Sequence, residues 1–213
     1  PNSIDSHPYN PVFGVYCGIG EYGRYTCLNS EPGYYVPSQG YVYQIPCTPG
    51  SYNPHSGTIN ISSCLDSSIG HYVDTFAAIS EKPCPIGTYN NNIGADSASF
   101  CIDSSPGHYV NTLEGAGYQI ECFYGKYQPL SGTTYCIDSE PGHFVNTRAS
   151  ISQQSCEIGY YQPMSGQSNC INSEPGYFVD TTSATMQNQC LIGTYQPNFS
   201  ASNCLSASIG YYV

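Results

Sequence analysis

One short unit is restated along this chain, and that leaves few folds open to it. In the segment 156–190, Cys156, Gly159, Tyr161 and Cys170 are followed at the same internal offsets by Ser173, Gly176, Phe178 and Gln187. Cys156 to Ser173 is seventeen residues, and Ser173 to Cys190 is another seventeen. The unit is therefore a half-repeat opened and closed by a Cys pair fourteen positions apart. It alternates with a half in which Ser and Gln hold those two places. Odd halves open at Cys17, Cys47, Cys84, Cys122, Cys156 and Cys190, and close at Cys27, Cys64, Cys101, Cys136, Cys170 and Cys204. Each has a Gly three residues after opening and a Tyr two residues later, as in Gly125 and Tyr127. Even halves carry Gly33, Gly70, Gly107, Gly142, Gly176 and Gly210, with Tyr35, Tyr72, Tyr109, Phe144, Phe178 and Tyr212 as their aromatic column, each followed by Val. Self-similarity at so short a period is the mark of units that stack on their neighbours, not of one large core.

Composition agrees. Charged residues make up 9% of the 213, against about 25% in an average soluble protein, and Trp is absent while Tyr and Gly each reach 22. Units of roughly 35 residues fall below the size that folds without disulfides, metals or partners. The 12 cysteines answer that need, and their even number points to an oxidising, extracellular compartment. The net charge of −11 repels nucleic acid and anionic membranes, and no apolar run approaches the ~18 residues that cross a bilayer. With no Met before Pro1, the chain reads as a processed form or the ordered part of a longer precursor.

A fixed Gly two residues before an aromatic suggests a bend with positive φ that delivers the ring onto the neighbouring unit. Segments such as 177–180 have strand composition, and Pro-x-Ser-Gly at 129–132 and 163–166 is turn chemistry. No helical periodicity of useful length is present. The expected fold is all-β: small disulfide-rich tandem repeats forming an elongated rod of stacked hairpin-like half-repeats. Its repeats span 17–46, 47–83, 84–121, 122–155 and 156–189, with an incomplete sixth at 190–213 and an extended arm at 1–16. In a chain poor in Leu, the aromatic columns are expected to supply the buried surface.

The joint loss of both cysteines in even halves marks them as partners. The expected disulfides are Cys17–Cys27, Cys47–Cys64, Cys84–Cys101, Cys122–Cys136, Cys156–Cys170 and Cys190–Cys204. The competing connectivity joins each closing Cys to the next opening one and leaves Cys17 and Cys204 unpaired. In even halves Ser30 and Gln44, Ser104 and Gln119, Ser139 and Gln153, and Ser173 and Gln187 are expected to lie close, bonded directly or through backbone. Glu81 takes the Gln place opposite Ser67.

Ser, Asp and His recur once per repeat, as structural positions do, whereas a catalytic constellation occurs once, so no enzyme is expected. Close Cys pairs for zinc are missing, the recurring His71, His108 and His143 read as unligated, and Asp66, Asp103 and Asp138 read as turn residues rather than a calcium cage. No cofactor or metal is expected. Asn60-Ile61-Ser62 and Asn198-Phe199-Ser200 are glycosylation sequons, making Asn60 and Asn198 candidate glycan sites.

Cys-x-x-Gly-x-Tyr with a second Cys about fourteen residues on resembles the cysteine-rich repeats of the ephrin-receptor-like and tumour-necrosis-factor-receptor type, and tandem repeats of large secreted proteins from environmental microbes. The resemblance covers 17–213 and implies ladder-like, disulfide-stapled extracellular rods. Those families place a further Cys three residues after the closing one, where this chain has Ser30, Ser67, Ser104, Ser139, Ser173 and Ala207.

The function expected is a structural subunit of an extracellular filament, appendage or surface coat, glycosylated and partnered with itself head-to-tail. The alternative is an adhesive or receptor-like stalk. In the head-to-tail expectation, Val12, Phe13 and Tyr16 of one copy pack on Tyr211, Tyr212 and Val213 of the next.

Overall fold

The computed structural model describes residues 17–23, 27–38 and 41–208. It divides into two compact units, Pro1–Ile102 with Thr112–Tyr118, and Asp103–Asn111 with Gln119–Val213. Among the described residues, two-residue strands pair into eleven two-stranded sheets, and the only helical pieces are 3-10 turns at Ile61–Ser63 and Ala98–Phe100. The all-β, disulfide-rich repeat expected from the sequence is what is found.

Each half-repeat begins with a tight turn whose residues determine its geometry. In Glu140-Pro141-Gly142-His143 the His143 N–H donates to the Glu140 carbonyl at 3.0 Å, and Gly142 has φ of 80°. Pro presets the second turn position and Gly supplies positive φ at the third, the pattern a type II turn requires. The two residues from His143 onward then pair antiparallel with the strand that leads into the next half: His143 opposes Ser155 and Phe144 opposes Gln154. Odd halves do the same, with Tyr160 opposite Asn172 and Tyr161 opposite Ile171. The turn expected at Pro-x-Ser-Gly differs. No hydrogen-bonded turn forms at 129–132; the Gln128 side chain accepts the Leu130 N–H at 3.1 Å and bends the chain there instead. A side-chain acceptor had displaced the backbone one, which residue identity at the turn does not reveal.

Within each unit, successive halves stack as coils joined by three backbone hydrogen bonds. Gly142 N–H donates to the Gln162 carbonyl (2.7 Å), Val145 N–H to the Gln167 carbonyl (3.0 Å), and Gly166 N–H returns to the Ser139 carbonyl (2.8 Å). One coil on, Gly159, Gln162 and Ser183 donate to Val179, Ala184 and Cys156 in the same pattern. In the other unit Gly33, Val36 and Gly57 donate to Asn53, Thr58 and Ser30. These bonds join residues far apart in sequence, so the ladder is a tertiary structure built from backbone.

The core is a thin line. Val36, Val73, Val110, Val145 and Val179 are at most 2% exposed, and the opening cysteines Cys47, Cys84, Cys122 and Cys156 are equally buried. The Val column alternates with buried Asn53, Asn90, Gln128, Gln162 and Gln196. The aromatic columns lie only half-buried beside this line, Tyr195 being 41% exposed. That departs from the expectation that stacked rings form the core: the residue after each ring, not the ring, points inward, because successive strand side chains alternate.

Close approach explains the fixed glycine as much as its φ does. A Cβ at Gly142 would run into the backbone carbonyl of Ser183 on the next even half, and Ser183 itself holds φ of 55°. We expect Gly142→Ala to lower unfolding stability by about 2 kcal/mol or more, since strained φ and a backbone collision add. Ser183→Gly should leave stability unchanged or raise it by up to ~1 kcal/mol, relieving the left-handed conformation. Thermal unfolding with the disulfides intact measures both.

Candidate functional site

The positions that carry chemistry fall into columns along each unit, so the site is built column by column. All six disulfides lie within odd halves: Cys17–Cys27, Cys47–Cys64, Cys84–Cys101, Cys122–Cys136, Cys156–Cys170 and Cys190–Cys204. No closing Cys is joined to the next opening one. The loops closed are not uniform: separations are 10, 17, 17, 14, 14 and 14 residues in chain order.

In even halves the opening Ser occupies the buried slot of the opening Cys, with Ser30, Ser67, Ser104, Ser139 and Ser173 all 0% exposed. Its hydroxyl does not bond the Gln amide. Ser139 Oγ donates to the Gln167 carbonyl (3.2 Å) and accepts the Gln167 N–H (3.0 Å), both on the next coil. Ser173 does the same with Ala201, and Ser30 with Thr58. Each hydroxyl is therefore a fourth tie between coils.

The Gln closes the even half by another route. Gln153 Oε1 accepts the backbone N–H of Glu140, the residue after Ser139, at 2.7 Å, and Gln153 Nε2 donates to the Glu140 carboxylate at 3.1 Å. Gln44 makes the same two bonds to Glu31, at 2.8 and 3.2 Å. Where Ser68 stands in place of Glu, Glu81 takes the Gln place and accepts both the Ser68 N–H (2.6 Å) and hydroxyl (2.8 Å). The acid has crossed the clasp, and the hydrogen bonds remain complementary. The expected Ser–Gln tie is thus real as proximity through backbone, with the hydroxyl committed elsewhere.

The buried amide column was not anticipated. Asn90 Oδ1 accepts the Asn92 N–H and its Nδ2 reaches back to the His71 carbonyl at 2.9 Å. Gln162 Oε1 accepts the Met164 N–H and its Nε2 crosses its own loop to the Asn169 carbonyl at 2.8 Å. Asn53 and Asn90 stand in the two seventeen-residue loops, and Gln128, Gln162 and Gln196 in the fourteen-residue ones. An amide directly after the odd-half Tyr in five halves, changing length with the loop, was the signal available in the sequence. Among the described residues no buried side-chain N or O lacks a partner.

The basic groups are few, and the three among the described residues are paired. Lys82 meets Asp74 at 2.6 Å, Lys126 meets Asp138, and Arg148 meets Glu121 at 3.1 Å while lying over the Phe123 ring. The Lys82 hydrogen bond holds the Asp74 carboxyl below its ordinary value, and Asp74 holds the Lys82 ammonium above its own. His71, His108 and His143 each place Nδ1 3.1–3.2 Å from the carbonyl two residues earlier. Among the described residues no three His, Cys, Asp or Glu side chains are grouped so as to hold a metal, and no helix is long and apolar enough to cross a membrane. Asp66, Asp103 and Asp138 instead lie against Gly94, Gly132 and Gly166 of the next odd half. Asn60 and Asn198 are both exposed; the Ser62 hydroxyl donates to the Asn60 side chain. Val12, Phe13, Tyr16, Tyr211, Tyr212 and Val213 lie outside the described residues.

Shallow grooves open where an even hairpin meets the following odd half. One of about 300 Å³ is lined by Tyr35, Thr48, Ser51, Ile61, the Cys47–Cys64 disulfide and Asp66. Another of about 230 Å³ lies at the corresponding place, between Phe144, Glu157, Tyr160, Asn169 and Cys170.

No protein-family model matches the chain, and no curated protein matches it. The geometry itself shows a cysteine-rich tandem repeat with six disulfide-bonded pairs and recurring hairpins, which points to an extracellular protein of structural or ectodomain-like kind.

The columns are expected to differ in weight. Replacing Cys156 and Cys170 by Ala should cost about 3 kcal/mol in the chain-entropy model for a loop of that length. Ser139→Ala strands the Gln167 N–H on the next coil, whose carbonyl keeps the Val145 N–H, and should cost ~1–3 kcal/mol. Gln153→Ala frees an N–H at the surface and should cost less, ~0.5–1.5 kcal/mol. Denaturant unfolding of the three variants gives the order; a Gln153 effect larger than that of Ser139 would reverse the roles assigned here.

Proposed function

We propose that the chain is a non-enzymatic structural subunit of an extracellular filament, appendage or surface coat, related in style to the ephrin-receptor-like and tumour-necrosis-factor-receptor-like repeats. The observation that carries this reading is the coil ladder: the same three backbone bonds recur from coil to coil within each unit, whatever the exposed side chains are. Such a ladder extends by addition of like coils and transmits tension through backbone and disulfides. Functional groups that recur once per repeat serve the ladder, as Ser139 and Gln162 do, and the Ser68 hydroxyl, 3.0 Å from His71 Nδ1, is engaged by the Glu81 clasp. The partner proposed is a second copy, joined head-to-tail with Val12, Phe13 and Tyr16 of the 1–16 arm of one chain on Tyr211, Tyr212 and Val213 of the next.

Glycosylation at Asn60 and Asn198 belongs to this proposal. Both are exposed and lie in disulfide-closed loops, and glycans would keep a chain with 9% charged residues in solution. A second reading, an adhesive or receptor-like stalk, is favoured by the two corresponding grooves, each pairing an aromatic ring with a carboxylate.

Negative-stain microscopy of the native material should show fibres, and deletion of residues 1–16 should abolish or shorten them. Fibres of normal length from the truncated chain would remove the arm as connector. Isolated short particles from the intact chain would favour the stalk. Glycosidase treatment should lower the intact mass; an unchanged mass would remove the glycan assignment at Asn60 and Asn198.

A further inference from the structure

The odd hairpins carry an apolar strip that folding does not require. Opposite each odd-half Tyr stands a Leu or Ile: Tyr22 faces Leu28, Tyr52 faces Leu65, Tyr127 faces Ile137, Tyr161 faces Ile171 and Tyr195 faces Leu205. The remaining odd hairpin pairs the strand of Tyr89 with that of Ile102. Leu28, Leu65, Ile102, Ile171 and Leu205 are 41–53% exposed. In even hairpins the corresponding place holds Ile45, Lys82, Ile120, Gln154 and Asn188. Even hairpins therefore form with Lys, Gln or Asn at this site, so the hairpin does not need an apolar side chain there. All six odd hairpins keep one, exposed in five and half-buried at Ile137.

The rungs are contiguous within a unit. Asn29 lies against Gly57 and Asp66 against Gly94 in one unit, and Asp138 against Gly166 in the other, so the odd half of one repeat touches the odd half of the next. Two coils per repeat at about 4.8 Å each set the rungs about 10 Å apart. Three rungs of half-exposed Tyr and aliphatic side chain offer roughly a few hundred Å², the size that marks an interaction surface. The opposed pairs themselves contain no charged group.

We infer that this strip docks laterally on the same strip of a second copy of the chain. Two observations select that occupant. A rung spacing set by this coil ladder is matched by another copy of the ladder, and the strip lacks the charges that would oppose two negatively charged chains at close range. The rest of the chain, at −11, repels a like copy at long range, so salt should strengthen pairing by screening that repulsion. The contact holds whether or not chains also join end to end, since it lies along the coils and not at their termini.

The test compares the intact protein with a variant in which Leu28, Leu65, Ile102, Ile137, Ile171 and Leu205 are each replaced by Gln. Negative-stain widths and sedimentation are read at low and high salt. Width reports lateral pairing, and length reports end-to-end joining, so failure of one is distinguishable from failure of the other. The intact chain should pair, more so at high salt, and the variant should remain single, with affinity lost by about tenfold per rung. A control with Ile45→Gln and Ile120→Gln on even hairpins should pair normally. Disulfide mapping and thermal unfolding check the fold of the six-site variant. The milder Leu65→Gln, Ile171→Gln variant should show a smaller loss of the same sign. Intact protein that stays single at every salt, or a six-site variant that pairs like the parent, overturns the inference. So does intact protein that stays single but co-sediments with insoluble cellulose through the strip, which assigns the surface to a carbohydrate.

Discussion

The backbone ladder between successive coils governs everything else in this protein. A coil contributes few side chains to a core, and the buried line of Val, Cys, Ser and amides is too thin to hold a domain by hydrophobic burial alone. What holds the coils together is main chain bonded to main chain, at 2.7–3.0 Å between Gly142, Val145 and Gly166 and their partners. The glycine at the turn adds a second close approach, with no Cβ in the way, to the backbone of the next half of the same kind, as Gly142 does to Ser183. The residue that meets it, Ser183 opposite Gly142 for example, has been pushed into the left-handed region to present its carbonyl. Strain at one position and absence of a side chain at the other are two halves of one contact.

Given the ladder, the closing of each coil becomes a separate and interchangeable matter. Odd coils use a disulfide, which acts largely by limiting the unfolded chain. Even coils use a clasp between a Gln or Glu side chain and the N–H after the buried Ser, which acts in the folded state and competes with water. The Ser then has its hydroxyl free to bond the next coil, which a cysteine sulfur in a disulfide does not do. Alternating the two closures gives every second coil a covalent tie and every other coil an extra bond to its neighbour. What stays constant is the N–H after the buried Ser, held by a side-chain oxygen of Gln44, Gln119, Gln153 or Glu81 alike.

The scarcity of charge has a physical counterpart in the same design. The described cations are all engaged: Lys82, Lys126 and Arg148 each sit beside a carboxylate. The aromatic rings, displaced from the core by the Val and amide columns, cover its flanks. That leaves a surface of half-exposed Tyr with Leu or Ile along odd hairpins, where a soluble monomer would more commonly carry charge.

The sequence by itself determined the half-repeat, the turn at each Pro-Gly or Ile-Gly, the short strands and the pairing of cysteines across each odd half. These are local matters: φ preference at Gly142, Pro at the position before it, and the joint loss of Cys at Ser139 and Gln153 all lie within one coil. The tertiary structure alone decided what each coil does to the next. It sends the Ser139 hydroxyl to Gln167 and not to Gln153, turns Val145 inward and Phe144 to the flank, and makes the Gln162 amide span its own loop while Asn90 reaches the coil before. Those choices follow from how one coil is rotated on another, a relation carried by bonds between residues some twenty apart, such as Gly142 and Gln162. No periodicity within a single coil encodes that rotation, because a half-repeat specifies its own closure before it meets a neighbour.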